Sequence, residues 1–374
     1  METNQFPKKY NGRVIKSRHF GKLLFLDILC GDKIVQGILT KDSLKDRFPT
    51  KKQIQKGDIV GIGGVKSDSE ERELSVEVKE INILSKNNTK DLIESTADNL
   101  KSRSELTYNL RSFLRGEDYV EVDLPVIQEG DTPSKSRSFS TSHVTIGEDL
   151  TLRKSMDIFL RRIALRGLDK IYSIGPNFRN EYISKDKIPE FNMLSLISNY
   201  AGVEDLIDLS KRLISFVISQ SDKEEILCSK EIKTIDYNEF VSPFSNTEHP
   251  YTEAKANMKK PVIIYGLPSH SNSIAKQKNA NTLDEFKLII RGYTVVHGYS
   301  DLNDAKILKE KLSKQKGFVN SGELESLLNE MEMGCPPSSS MGLSLDRLSM
   351  LICGTKNIRD AMAFPFSRIE KHNG

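Results

Sequence analysis

Hydrophobic spacing divides the chain in two. From residue 11 to about 83, apolar and polar positions alternate in short runs broken by turn residues, as in half-buried strands. Gly12 to Ile15, Leu23 to Leu29, Ile34 to Leu39, Asp58 to Val65 and Glu73 to Ile83 are the predicted strands, with a short helix near Lys41 to Arg47. Five short strands in so small a region predict an OB-type barrel, a fold whose surface takes single-stranded nucleic acid. The polar, turn-rich run Ser85 to Lys90 predicts a linker. Beyond it, Leu100 to Leu114 and Val203 to Ile218 carry apolar residues at helical spacing. Ile171, Tyr172 and Ile174 predict a strand leading into Phe178-Arg179-Asn180-Glu181. Tyr182 to Lys187 predicts a loop tip, and Phe191, Met193 and Leu194 open a return strand. Pro125, which cannot donate to a ladder, ends a strand or lies on an edge. The stretch from about 220 to 260 is irregular, with no legible chemistry.

Composition changes this picture in three places. At 374 residues the chain can bury two cores. Net charge is only +3, yet residues 1–90 hold 18 Lys and Arg against 12 Asp and Glu, leaving 37 against 40 for the remainder. A basic front on a near-neutral body fits either a domain that touches phosphate backbone or an ordinary lysine-rich surface. Cys30, Cys228, Cys335 and Cys353 are scattered without a CxxC pair, which argues against a zinc ribbon or disulfide framework. With no signal-like h-region and no membrane-length segment, the expectation is a cytoplasmic protein.

Candidate chemistry begins with Arg179 and Glu181, which, two apart on one strand, face the same side. They form either an ion pair or part of a ligand site. Near the other end, Gly342-Leu343-Ser344-Leu345-Asp346-Arg347-Leu348 supplies a lone arginine at the mouth of an apolar helix. Two guanidinium groups from distant segments suit a bent polyphosphate, because their forks bind phosphate oxygens bidentately.

These two segments resemble motifs 2 and 3 of class II aminoacyl-tRNA synthetases, particularly the lysyl type of the aspartyl, asparaginyl and lysyl group. The resemblance runs over nearly the whole chain and implies an α+β fold. An OB-type anticodon-binding barrel over residues 1–85 and a linker over 86–104 would precede a catalytic domain of antiparallel sheet flanked by helices over 105–374. Tyr119 to Pro125 resembles motif 1 and implies a homodimer through Val120 to Pro125. Gly21-Lys22-Leu23-Leu24-Phe25 and Arg72-Glu73-Leu74-Ser75 resemble the anticodon-binding wording. That implies tRNA as partner, with Phe25 stacking on a base and Glu73 bonding a base edge; a core position is the alternative for Phe25. Gln36 stands one place late, a slip that would turn it to the other face.

By resemblance, Arg179 would hold the α-phosphate of ATP and the substrate carboxylate. Glu181 would accept from the adenine amino group, Phe191 would stack on the ring and Arg347 would clamp the γ-phosphate. Lys187 replaces a loop histidine of the family. Asp157 stands for the glutamate that holds the substrate α-amino group, with an exposed helix carboxylate as the alternative.

The departures lie in the pocket. Ser340 and Ser344 replace glycines, so they are expected to crowd the nucleotide. Lys287 and Thr294 occupy the positions of the two glutamates that hold Mg²⁺ in the family. Lys287 either offers its own charge where the metal would be or marks a lapsed site. Ser195 and Ile197 replace a glutamate and a tyrosine of the lysine pocket, and Asp301 stands for the acid that meets the substrate ammonium. His297 and Tyr299 replace an asparagine and an aromatic. The expectation is ATP-dependent activation of lysine or a related amino acid and transfer to tRNA. The alternatives are a lapsed paralogue that binds tRNA or an effector, and a ligase with another acceptor.

Overall fold

The computed structural model describes residues 8–31, 33–50, 53–67, 74–88, 97–131, 136–145, 149–221, 226, 232–269, 274–314 and 321–366. Two compact units divide the chain, Met1–Asp98 and Asn99–Gly374.

In the first unit, β1 (Lys8–Phe20), β2 (Leu23–Cys30), β3 (Lys33–Thr40), β4 (Ile59–Ser67) and β5 (Ser75–Ser85) close into a barrel in the order β1-β2-β3-β5-β4. Alternation places Leu24, Leu26, Ile28, Val35, Leu39, Val60, Ile62, Val76 and Val78 inside. β1 is longer than its apolar run because it serves two partners. A register shift between Val14 and Lys16 lets one half pair with β4 and the other with β2, which closes the barrel. A Cβ at Gly64 would stand 2.0 Å from the Glu77 carbonyl oxygen, so glycine alone permits the register shift between β4 and β5 there. After β3, α1 (Lys41–Leu44) is capped by Thr40. Lys86 and Asn87, expected in the linker, are tied to the barrel by bonds of 3.0 and 2.8 Å to the buried Asp58 carboxylate. Residues 89–96 of the expected linker lie outside the described residues.

The first helix of the second unit is α2 (Ala97–Gly116), described from two residues before that unit's boundary and three before its apolar spacing begins. β6 (Val120–Glu121), β7 (Ile127–Glu129), β8 (Ser140–Ser142), β9 (Asp149–Leu152), α3 (Asp157–Ala164), β10 (Lys170–Phe178), β11 (Glu190–Asn199) and α4 (Val203–Ser219) follow. Then come β12 (Lys233–Asp236), α5 (Tyr237–Val241), α6 (Pro250–Ala256), β13 (Val262–Tyr265), β14 (Glu285–Ile290) and β15 (Tyr293–Ser300). α7 (Ala305–Ser313), α8 (Gly322–Glu332), β16 (Ser338–Ser344) and α9 (Leu345–Ile352) complete it.

Among the described residues, eight strands form one sheet in the order β12-β13-β14-β15-β16-β11-β10-β6, antiparallel except at its two outer pairs. β7, β9 and β8 form a small second sheet. Leu194 and Leu196 of β11 and Met341 and Leu343 of β16 pack with the apolar stripe of α4 and with Leu106, Leu110 and Leu114 of α2. The alternate residues, Met193 and Ser195 of β11 and Ser340, Gly342 and Ser344 of β16, therefore face the opposite side, where the cavities lie. β6 is the edge strand and leaves the ladder after Glu121, with Val120 48% exposed. Among the described residues no helix is long and apolar enough to cross a membrane.

Candidate active site

β10 and β11 pair with Asn177 opposite Phe191, and the chain between them returns as a loop. The Arg179 amide donates to the Pro189 carbonyl at 2.8 Å, which pins the base of that loop. The Arg179 guanidinium lies 5.2 Å from the centre of the Phe191 ring, within cation–π range. Its Nε is buried with no partner among the described residues, a donor whose hydrogen bond is still to be made.

Arg347 sits in the first turn of α9. Its Nη1 donates to the Thr294 carbonyl at 3.0 Å and its Nη2 lies 3.7 Å from the Asp186 carboxylate. Both arginines line a single cavity of about 340 Å³, together with Glu181, Lys187, Phe191, Lys287, Thr294 and His297.

The spacing between these groups is held by Asp346, which is completely buried. Its carboxylate accepts from Arg103 Nη2 at 2.6 Å and from the Asn192 amide at 2.7 Å. Since Asn192 follows Phe191 and Asp346 precedes Arg347, the second bond locks the ring strand to the α9 arginine. Burial pushes the Asp346 pKa up, and Arg103 works against that rise. Sequence reasoning missed this pair. The available signal was an aspartate inside the apolar run of α9, where an acid must find a buried partner.

On β14 and β15, Glu285 accepts from His297 Nε2 at 2.8 Å and from Lys287 Nζ at 3.3 Å. Burial alone would raise the Glu285 pKa; His297 and Lys287 outweigh it and hold the carboxyl below its usual range. His297 is thus both a wall of the cavity and a bonded strand residue. Lys255 on α6 comes from the stretch in which no chemistry was legible. Its pKa is lowered by burial and then by Arg347, Lys287 and Lys187, so its charge belongs to the same field.

A second cavity of about 120 Å³ shares Arg179, Met193, His297 and Gly342 with the first. Its remaining wall includes Lys154, Asp157, Asn177, Ser195, Tyr299 and Ser340. Burial, with Asp157 and Asp301 nearby, pushes the Tyr299 phenol well above its ordinary value. Lys154 and Asn177 were not singled out from sequence, although a lysine and an asparagine beside buried apolar positions were visible there.

Two expected pocket residues stand elsewhere. Ile197 is packed into an apolar cluster with Met156, Leu160, Ala164 and Ile171, so its side chain is absent from the wall. Asp301 is also off that wall; its Oδ2 accepts from Ser338 at 3.0 Å and Ser340 at 2.8 Å. The expected crowding by serines has an answer in the same bonds. Ser340 turns its hydroxyl to Asp301, and Ser344 uses its own as the N-cap of α9.

On the barrel, Phe25 points outward rather than into the core. Its ring meets Phe20 edge-on at 6.2 Å, and the Arg18 guanidinium lies 5.7 Å away. Phe25 pairs with Ile38 and Asp27 with Gln36, so Gln36 stands on the same outer face despite the one-residue offset. Its amide donates to Asp27 at 3.1 Å. Glu73 lies outside the described residues.

A family model described as tRNA synthetases class II (D, K and N) matches residues 82–368, and one described as an OB-fold nucleic acid binding domain matches residues 9–84. The chain belongs to the class II tRNA synthetases (D, K and N). Lysine–tRNA ligase 2 of Methanosarcina mazei is 26% identical over 429 aligned positions, covering 95% of this chain and 84% of that protein. The lysine–tRNA ligase of Baumannia cicadellinicola is 27% identical over 433, covering 96% and 86%. In three dimensions, the crystal structure of asparaginyl-tRNA synthetase from Pyrococcus horikoshii, complexed with asparaginyl-adenylate, matches with a TM-score of 0.86 at 20% identity, covering 97% and 96% of the two chains. That likeness establishes the synthetase fold.

Class II synthetases use ATP and Mg²⁺. The larger cavity of this synthetase does not fit the metal. Mg²⁺ takes carboxylate and phosphate oxygens, whereas Lys287 and Thr294 bring an ammonium and a hydroxyl to the wall. Glu285 is already held by His297 and Lys287, and Asp186 faces Arg347. Among the described residues no group of three or more His, Cys, Asp or Glu could hold a metal ion.

Proposed function

We propose that this synthetase activates an amino acid with ATP and passes it to tRNA. The substrate carboxylate attacks the α-phosphate, forming the aminoacyl-adenylate and releasing pyrophosphate. Two anions must meet, so the site has to cancel charge and hold them in line. Arg179 bridges the carboxylate and the α-phosphate, Phe191 carries the adenine, Glu181 accepts from its amino group, and Arg347 and Lys187 take the outer phosphates. Lys287 supplies fixed positive charge where relatives place metal ligands, and Asp157 takes the α-amino group. One observation carries this reading: Arg179 and Arg347, from distant segments, line one cavity together with the Phe191 ring on which the Arg179 guanidinium rests. ATP–pyrophosphate exchange with each of the twenty amino acids tests it, and exchange with none of them would end it.

The outer barrel face of Arg18, Phe20 and Phe25 supports contact with an unpaired anticodon, where stacking contributes about 1–3 kcal/mol per base. The exposed edge strand β6 supports a homodimer through Val120 to Pro125; sedimentation of the intact chain tests it. The missing metal ligands favour a second reading, a non-catalytic RNA-binding paralogue. Tight ATP binding without exchange would select that one.

A further inference from the structure

The side-chain end of the amino-acid cavity is electrically closed, and that restricts what can enter. A lysine substrate carries two ammonium groups into this site. Asp157 is the carboxylate on the wall of the smaller cavity among the described residues, and the α-amino group requires it. The second ammonium then needs another acid, because a charge taken from water without a partner is expensive. Position 195 is a serine. The Asp301 carboxylate lies behind Ser340, already accepts two hydroxyl bonds, and stands beside the Arg161 guanidinium, which donates to the adjacent Leu302 carbonyl at 2.5 Å.

An acidic side chain meets the mirror problem. Lys154 is 1% exposed, but its Nζ lies 2.7 Å from the Asp131 carboxylate and donates to the Ser136 carbonyl at 3.1 Å. That ammonium is spent within the fold. Arg179 is committed to the substrate carboxylate and the α-phosphate. What the wall still offers is neutral and polar. Asn177 is 1% exposed, and its Oδ1 has no partner among the described residues. The Ser195 hydroxyl and the Tyr299 phenol stand on the same wall, with the Ser340 oxygen, its proton given to Asp301, left to accept. A buried amide with an unmet hydrogen bond costs stability unless a ligand completes it. The space of about 120 Å³ is also well below that of ordinary ligand sites, roughly 300–1,000 Å³.

We infer that the amino acid taken by this cavity has a small, uncharged, hydrogen-bonding side chain, a hydroxyl or a carboxamide, and that lysine is excluded. Asn177 and Ser195 determine that specificity. The inference rests on the activation chemistry proposed above, and it concerns only which substrate enters.

Two measurements on the intact chain separate the two claims. The first is ATP–pyrophosphate exchange across the amino-acid panel. The expected result is a preference for serine, threonine, asparagine or glutamine over lysine, aspartate and glutamate on the order of 100-fold or more. Lysine or an acidic amino acid used as well as these would overturn the inference while leaving activation intact. The second is calorimetric binding of the same panel beside a non-reacting ATP analogue. If exchange is silent but a neutral polar amino acid binds, the inference stands and activation falls; if no amino acid binds, both fall. Ser195→Glu supplies the missing counter-charge, so lysine use should rise at least tenfold relative to the neutral substrate. A folded S195E variant with no such gain would overturn the assignment.

Discussion

Glu285 and Asp301 are both buried carboxylates beside the same strand, β15, and they behave in opposite ways. At the end with the larger cavity, Glu285 is bonded by His297 and Lys287, and its pKa falls. At the end with the smaller cavity, burial drives the Asp301 pKa up; Arg161 and the two serine hydroxyls only partly resist. Both are almost fully buried by exposed area, and they differ in their bonding partners. At the first end Lys287 and His297 hold the carboxyl below its usual range, and both also line the larger cavity. The other end spends its charges internally and presents neutral dipoles.

The sharpest way to break this comparison is through another buried carboxylate of the second unit, Asp346. Asp346→Ala leaves the half-buried Arg103 guanidinium without its acid, and the expected loss is about 3 kcal/mol of stability, the lower end for a broken buried pair, read as a lower thermal midpoint. A change under about 1 kcal/mol would mean that the pair does not lock β11 to α9. Next in size is Arg179→Ala. Removing a positioned donor from developing charge should cost on the order of 10²–10³ in the exchange rate, with the thermal midpoint little changed. An equal loss from Asn177→Leu measured with ATP binding alone would erase the distinction between the two ends.

The pH dependence should split the two acids. The lowered Glu285 pKa means its stabilising contribution is present above the ordinary glutamate range and lost as pH falls through its folded value. Glu285→Gln should therefore lose most, relative to the parent, at neutral pH and least in acid. The raised Asp301 pKa has the reverse sign: the folded state gains from its proton in acid and loses that gain as pH rises. Asp301→Asn should become relatively more stable from acid to neutral pH. Thermal midpoints of both variants across that range would check the signs, and parallel curves would refute the contrast. The smallest expected effect concerns metal. With Lys287 in place of a ligand, chelating Mg²⁺ should weaken ATP affinity less than tenfold by calorimetry; a greater loss would show a metal held by some other route.

Much of this architecture was legible because it rests on local periodicity. The barrel strands alternate because one face is wet; Arg179 and Arg347 stood out as two guanidinium groups in distant segments, and Phe191 was named only through the resemblance to a family motif. The first described residues of α2, from Ala97, were not legible as helix, since they lack the apolar spacing that marks Leu100 onward. Ile197 was assigned to the pocket by its place two after Ser195, yet side chains two apart share a face without sharing a neighbour: α3 covers one and not the other. Lys255 was invisible because nothing in its own stretch signals the charges it would join.

The order of residues by itself determined the alternating barrel strands and the apolar helix stripes, because each follows from neighbours one to four positions away; the antiparallel sheet was implied by the resemblance of its motifs to a family. Tertiary structure alone decided which charges remain available. Whether an aspartate accepts hydrogen bonds from arginine, as Asp346 does, or from serine hydroxyls, as Asp301 does, depends on residues brought together from remote segments. In a buried site of low dielectric, that choice of partner sets the charge a ligand encounters.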